Sequence, residues 1–350
     1  PHTGPAAPAH PPPEQSERAV PACAGGAGGL DPWKSTQQPF AFNKNGQIMT
    51  ASVVSSYFRD VRAPRGARTR LWPDANWAAP ADTQAATHFA QDMTLALQEA
   101  GGPGDVLNLP GAEGLVACLG GNSPYLSDLA RQDPVFFATL VQSGPEPCAK
   151  DVFAAFADFD ITSGRECVAR FLREAKKRTA LICAVADLGG FWSLEEVTQT
   201  LSRLADAALE VAVRHLLWSA HQAGQIQLRD PKRPAHASGF VVLAMGKLGA
   251  RELNFSSDID LMVLYDPSVQ SQPDTVRRVF IRMTSDLVGL MEARDADGYV
   301  FRSDLRLRPD GSSTPPAVSV QSAIQYYESL GQTWERAAMI KARPVAGDMA

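Results

Sequence analysis

Cysteine is scarce in this chain. The five present, Cys23, Cys118, Cys148, Cys167 and Cys183, are odd in number and widely spaced, with no Cys-x-x-Cys pair and no Cys/His cluster. This argues against a disulfide framework or a zinc module and for buried or idle thiols in a reducing cytoplasm. An excess of basic charge is also missing: 33 Lys and Arg stand against 38 Asp and Glu, a net charge of −5. Without a basic stripe, nucleic acid is not an expected partner. No apolar run approaches the roughly 18 residues of a membrane span, and residues 1–30 lack the basic start and apolar centre of a secretory signal. The reading is a cytoplasmic chain with no membrane association.

What is present suits a globular enzyme: 350 residues, 45% of them hydrophobic, enough for two modest cores. Residues 1–48 carry Pro- and Gly-rich tracts that cannot bury a core, and Met49 is the first methionine. They are expected to be disordered or to lie outside the folded protein. Residues 49–230 read as mainly helical. Apolar spacing predicts a helix from about 82 to 100, with Asp82 as N-cap and Gly101, Gly102 and Pro103 as the stop. Val168, Phe171, Leu172 and Ala175 mark a second helix; Val197, Leu201, Leu204, Ala208 and Val211 mark a longer one. The basic cluster Arg170, Arg173, Lys176, Lys177 and Arg178 reads as a solvated helix face, or else as a surface for an acidic partner. His215 and His221 lie six apart, not the four that place two metal ligands on one helix face.

Residues 225–238 form a proline-containing loop, and 231–350 make up the expected catalytic core. Residues 240–245 are all apolar, as in a strand buried on both faces. Gly246 follows, able to adopt a positive φ and to let a phosphate approach backbone N–H groups, with the charge of Lys247 beside it. Asp258 and Asp260 flank Ile259 at the start of a second strand, so both carboxylates point to one side. Such an oxygen-rich pair suits Mg²⁺ or Mn²⁺. Ser256 and Ser257, just before it, are placed to bond the carboxylates or a phosphate. In residues 301–308, Arg302, Asp304, Arg306 and Arg308 alternate with apolar or small residues, which predicts a half-buried strand presenting a third carboxylate among arginines. The P-loop alternative fails, because Leu248 stands where a metal-binding Ser or Thr is required.

Further on, Val276, Val279, Phe280, Met283, Leu287, Leu290 and Met291 form one helical stripe. Residues 309–316 are turn formers, placed beside the third carboxylate, and serve either as substrate contact or as a plain surface turn. Residues 320–342 read as largely helical. The chain then stops at 347–350 without a closing element, so the expected core is truncated.

The ordered set of buried strand, Gly-Lys, short helix, Ser-Asp-x-Asp strand, helix and third Asp resembles the nucleotidyltransferase fold of the DNA polymerase β type. The wording Met-Gly-Lys-Leu-Gly-Ala-Arg-Glu-Leu-Asn-Phe-Ser-Ser-Asp-Ile-Asp over 245–260, with Asp304-Leu-Arg-Leu-Arg-Pro-Asp-Gly, resembles the bifunctional glutamine synthetase adenylyltransferase/adenylyl-removing enzymes. It is closer to their N-terminal, adenylyl-removing copy. The resemblance implies an α+β domain with a mixed sheet flanked by helices, after a helical region. It implies that Asp258, Asp260 and Asp304 hold Mg²⁺ and carry catalysis, while Gly246, Lys247, Ser257, Arg306 and Arg308 bind phosphate or nucleotide. It further implies phosphorolytic removal of AMP from a glutamine synthetase tyrosine, giving ADP. PII signalling protein and glutamine come with the family as regulators. Adenylylation from ATP by the same carboxylates, or a non-catalytic regulatory module, stay open. Ala250, Thr333 and Ala337 depart from the family's usual Gly, Asp and Tyr, which bears on substrate contacts rather than on the carboxylates.

Overall fold

A computed structural model describes residues 75–270 and 273–349. The expectation for residues 1–48 lies outside them. From Thr83 to Gln222 the described chain is helical. Helix α1 (Thr83–Glu99) starts where the Asp82 carboxylate accepts the Ala85 N–H at 2.8 Å, and it buries Ala86, Phe89, Met93 and Leu97. Four short helices follow: α2 (Ala112–Asn122), α3 (Pro124–Gln132), α4 (Pro134–Ser143) and α5 (Pro145–Asp158). The last three open on proline, tolerated there because a first-turn N–H has no helical partner. Two long helices, α6 (Arg165–Leu188) and α7 (Leu194–Gln222), pack along each other, α7 opening with a reciprocal Ser193/Glu196 capping box. No described helix is long and apolar enough to cross a membrane.

The second part is a mixed sheet of five strands. Strand β1 (Phe240–Ala244) runs antiparallel to β2 (Ile259–Tyr265), and the one-turn helix α8 (Gly246–Gly249) sits between them in sequence. After α9 (Pro273–Glu292), β3 (Ser303–Asp304) and β4 (Ala317–Ser319) both pair parallel to β2. Helices α10 (Val320–Ser329) and α11 (Thr333–Ala338) lead to β5 (Arg343–Gly347), antiparallel to β1. The predicted α9 stripe is buried in full, and Phe280 sets its ring against those of Phe240 and Tyr265, 5.2 and 5.7 Å away. Helix α7 covers the other end: Asp206 takes two hydrogen bonds from Arg343, at 2.8 and 3.0 Å.

Three expectations need correction. Strand β1 buries one face only, with Val241 and Leu243 half-exposed. Of residues 301–308 only Ser303 and Asp304 form strand, because the Arg308 guanidinium gathers the carbonyls of Leu305, Gly311, Thr314 and Pro315 and curls the chain into a turn. Strand β5 is anchored by Asp348, which accepts the N–H groups of Ala237 and Gly239. Of the α6 cations Arg170 is exposed, but the other four are not a solvated face. Arg173 pairs with Asp295 at 2.8 Å, Lys177 with Asp297 at 2.8 Å and Arg178 with Asp133 at 2.7 Å. Lys176 donates to the Val300 carbonyl and lies over the rings of Tyr299 and Phe301.

Candidate active site

The site is built where β1 turns into α8. Met245 donates its N–H to the Asp260 carbonyl at 2.8 Å, which fixes the turn against β2. Gly246 takes φ +53°, and a Cβ there would come within 2.5 Å of Asp260 Oδ2. Glycine is required on both counts: the left-handed backbone, and the carboxylate lying where a side chain would begin. Lys247 is exposed on the next position.

Asp260 and Asp304 are register partners on the parallel strands β2 and β3. Ile259 N–H donates to the Arg302 carbonyl at 2.9 Å, and the Ser303 N–H donates to Glu292 at 2.7 Å, so the two-residue strand is held from both sides. Asp258 precedes β2 and is exposed. Its carboxylate accepts from Arg302, whose other nitrogen donates to the Ser256 carbonyl at 2.7 Å. Arg306 wraps Asp304, with backbone N–H and Nε each 2.8 Å from a carboxylate oxygen. The two central carboxyls therefore differ. The Arg306 guanidinium holds Asp304 below the usual carboxylate range. Burial, and then the charges of Asp304 and Asp258, push Asp260 up.

A cleft of roughly 580 Å³ opens here, lined by Asp258, Glu292, Arg302, Asp304, Arg306 and Arg308 among others. Among the described residues no three acidic, His or Cys side chains stand in metal-holding geometry. The reason is visible: Arg302 occupies Asp258, and Arg306 occupies Asp304. The three carboxylates supply oxygen donors of the kind hard divalent cations take, with Asp260 and Asp304 side by side in register and Asp258 two residues before Asp260. Both guanidinium groups are accessible, the Arg306 side chain at 87% and Arg302 at 48%, so neither carboxylate is sealed off.

The structure thus brings Gly246, Asp258, Asp260, Asp304 and Arg306 together. Arg308 lines the cleft, and its guanidinium bonds the carbonyls of its own turn. Ser257 belongs to the turn before Asp258, its N–H donating to the Asn254 carbonyl at 3.2 Å, and faces a second cavity. Two contributors escaped the sequence reading. Arg302 seemed one of three equivalent arginines, and Glu292 only the end of an apolar helix; its position one turn past Leu287 and Leu290 gave no sign of a bond to β3.

A mixed five-stranded sheet flanked by helices, with a glycine turn over carboxylates on neighbouring strands, defines an α+β domain of the nucleotidyltransferase type. The sequence profile of one family, described as glutamate-ammonia ligase adenylyltransferase, matches residues 114–350. The chain belongs to that family. It is 42% identical over 318 residues to a bifunctional glutamine synthetase adenylyltransferase/adenylyl-removing enzyme of Bradyrhizobium sp. (strain BTAi1), covering 88% of this chain and 30% of the relative. Relatives of the same description from Agrobacterium fabrum (strain C58) and Rhizobium meliloti (strain 1021) are 46% and 47% identical, each over 65% of this chain and 24% of their own length. The chain therefore spans less than a third of the length of these relatives.

Proposed function

We propose that this chain removes AMP from an adenylylated tyrosine of glutamine synthetase by phosphorolysis, taking up phosphate and releasing ADP. The observation that carries this reading is the Asp260 and Asp304 pair on adjoining strands directly beneath the Gly246 turn. The relatives' shared description, a bifunctional enzyme that adds and removes adenylyl groups, supports glutamine synthetase as the protein substrate. The residues 252–260, worded like the adenylyl-removing copy, favour removal over addition. A PII-type signalling protein is the regulatory partner that the family resemblance adds, and the cytoplasm is the compartment that fits these substrates.

Asp258, Asp260 and Asp304 are the residues that would hold Mg²⁺ or Mn²⁺. Such an ion, when bound, supplies positive charge to the attacking and departing oxygens of an in-line displacement. The chain's own groups do the rest. Backbone N–H groups of the Gly246 turn and the ammonium of Lys247 receive phosphate oxygens. Arg302 and Arg306, both exposed, bind further phosphate oxygens and keep the incoming phosphate in line with the bond to be broken. Phosphate attacks the AMP phosphorus, the bond to the tyrosine oxygen breaks, and the phenolate leaves with a pKa of about 10, low enough to need little protonation. No covalent enzyme intermediate is required.

The test is incubation with adenylylated glutamine synthetase, Mg²⁺ and phosphate. ADP release, abolished by Asp260→Asn, is the expected result. Pyrophosphate formed from ATP and unmodified glutamine synthetase, without ADP release in the first assay, replaces removal with adenylylation. Neither product would leave a regulatory module.

A further inference from the structure

A second cavity, of about 320 Å³, lies between the helical part and the turn that leads into Asp258. One wall comes from α6 and α7, with Ala184, Leu188 and Leu204; the other comes from Leu253, Asn254 and Phe255. Large apolar side chains are exposed around this one opening: Tyr125 at 57%, Leu188 at 43% and Phe255 at 40%. Neither Tyr125 nor Phe255 is engaged in a ring contact among the described residues. Both rings offer aromatic surface to a flat partner.

Polar residues make up half of the lining, Lys176 and Arg302 among them, and two of the groups form a donor and acceptor pair. Asn254 Oδ1 accepts the Phe255 N–H at 2.7 Å, which orients the amide; its Nδ2 makes no hydrogen bond among the described residues. Asp187 contributes an exposed carboxylate. A donor and an acceptor lining one cavity with aromatic side chains match a ring that carries both a bare nitrogen and an exocyclic amine. A tyrosine side chain, with one polar atom, satisfies one of them at most.

Size and position complete the argument. At about 320 Å³ the cavity lies at the lower end of ligand pockets, room for a base but not for a whole nucleotide. Arg302 lines both this cavity and the carboxylate cleft. A group extending from one to the other passes that guanidinium. We propose that the cavity binds the adenine ring of the adenylyl group, with the phosphate reaching past Arg302 to Asp258, Asp260 and Asp304. This assignment rests on the nucleotidyl-transfer reading above and deepens it.

The experiment is photolabelling of the full chain with 8-azido-AMP, peptide mapping, and titration with AMP and with inosine monophosphate, which has an oxo group where AMP has its amine. Label is expected on the peptides carrying Tyr125 and residues 253–257, competed by AMP and not by inorganic phosphate. Asn254→Ala and Phe255→Ala, both at exposed positions, each weaken AMP by about tenfold, the scale of one lost hydrogen bond or stacking contact. Asp187→Ala erases the preference for AMP over inosine monophosphate. Label confined to the peptide of Gly246 and Lys247, no label at all, competition by a tyrosine peptide but not by AMP, or unchanged AMP affinity in both variants overturns the assignment. ADP release measured alongside separates the two readings. A labelled cavity without ADP release sinks the reaction and keeps the base site, whereas ADP release from an unlabelled cavity does the reverse.

Discussion

Along α6, Arg173, Lys177 and Arg178 are largely buried against aspartates, their side chains 8%, 19% and 17% exposed; around β3, Arg302 and Arg306 hold aspartates while standing in solvent. The chemistry of the pairs is the same. Burial makes the difference, because a desolvated cation that loses its partner is costly, while an exposed one simply hydrates. In the first row Arg173 and Lys177 join the helical part to residues 293–301, Arg178 ties α6 to Asp133 within it, and the row is expected to matter for stability. The second can release its aspartates without strain, and is expected to matter for substrate.

Four measurements break or sharpen that division. The largest effect is expected outside both rows, at Asp260→Asn: ADP release falls by about a thousandfold, on the scale of losing one preorganised electrostatic group. The apo variant melts no lower than the parent, since one of three crowded carboxylates has lost its charge. A melting point well below the parent's would mean that Asp260 is structural. Next, Arg173→Ala should lower stability by about 2 kcal/mol, discounted because Asp295 is half in water. Chemical denaturation reads this directly, and ADP release per folded molecule stays within a few-fold of the parent. For Arg306→Ala the pattern inverts: unchanged denaturation and about tenfold weaker phosphate use. Equal stability losses in the two arginine variants would erase the distinction.

The smallest effect is a pH dependence. Burial, and then the charge of Arg302, lower the Lys176 ammonium from 10.5 to about 8. Below pH 8 it is charged in both the folded and unfolded chain, and the cost of burying that charge is fully present. Between about 8 and 10.5 the unfolded chain binds the extra proton, so stability contributed by this group rises with pH. Parent protein should gain on Lys176→Met across that window in paired thermal melts. Parallel curves would show that Lys176 titrates normally.

Local chemistry was readable from sequence, and long-range pairing was not. The α9 stripe and the Asp82 cap depend on neighbours three or four residues away, and both stand as expected. Gly246 needed only the local turn to be singled out; that its missing side chain makes room for Asp260 required the fold. The α6 cations were misread as solvated because Lys177 finds Asp297 at a distance of 120 residues. Strand β5 begins Arg343-Pro344, an unpromising start, yet proline is tolerated on an edge strand whose register β1 supplies. The turn after Asp304 hid in an alternating pattern, since nothing in residues 301–308 shows that one arginine will collect the carbonyls around it.

The attachment of residues 293–301 to α6 has a consequence for cooperativity. Arg173, Lys176 and Lys177, within five residues of one another on one helix, fasten Asp295, Asp297 and Val300, and Asp304 follows directly. So short a strand as β3 has little cohesion of its own: β2 and Glu292 hold the strand itself, and α6 holds the segment that leads into it. The carboxylate floor and the long helix should therefore open as one unit, their slowest amides exchanging with a common free energy. A fragment cut to begin at residue 231 would keep the β2 pairing and the Glu292 bond of β3, yet lose the α6 anchors of the segment that leads into Asp304.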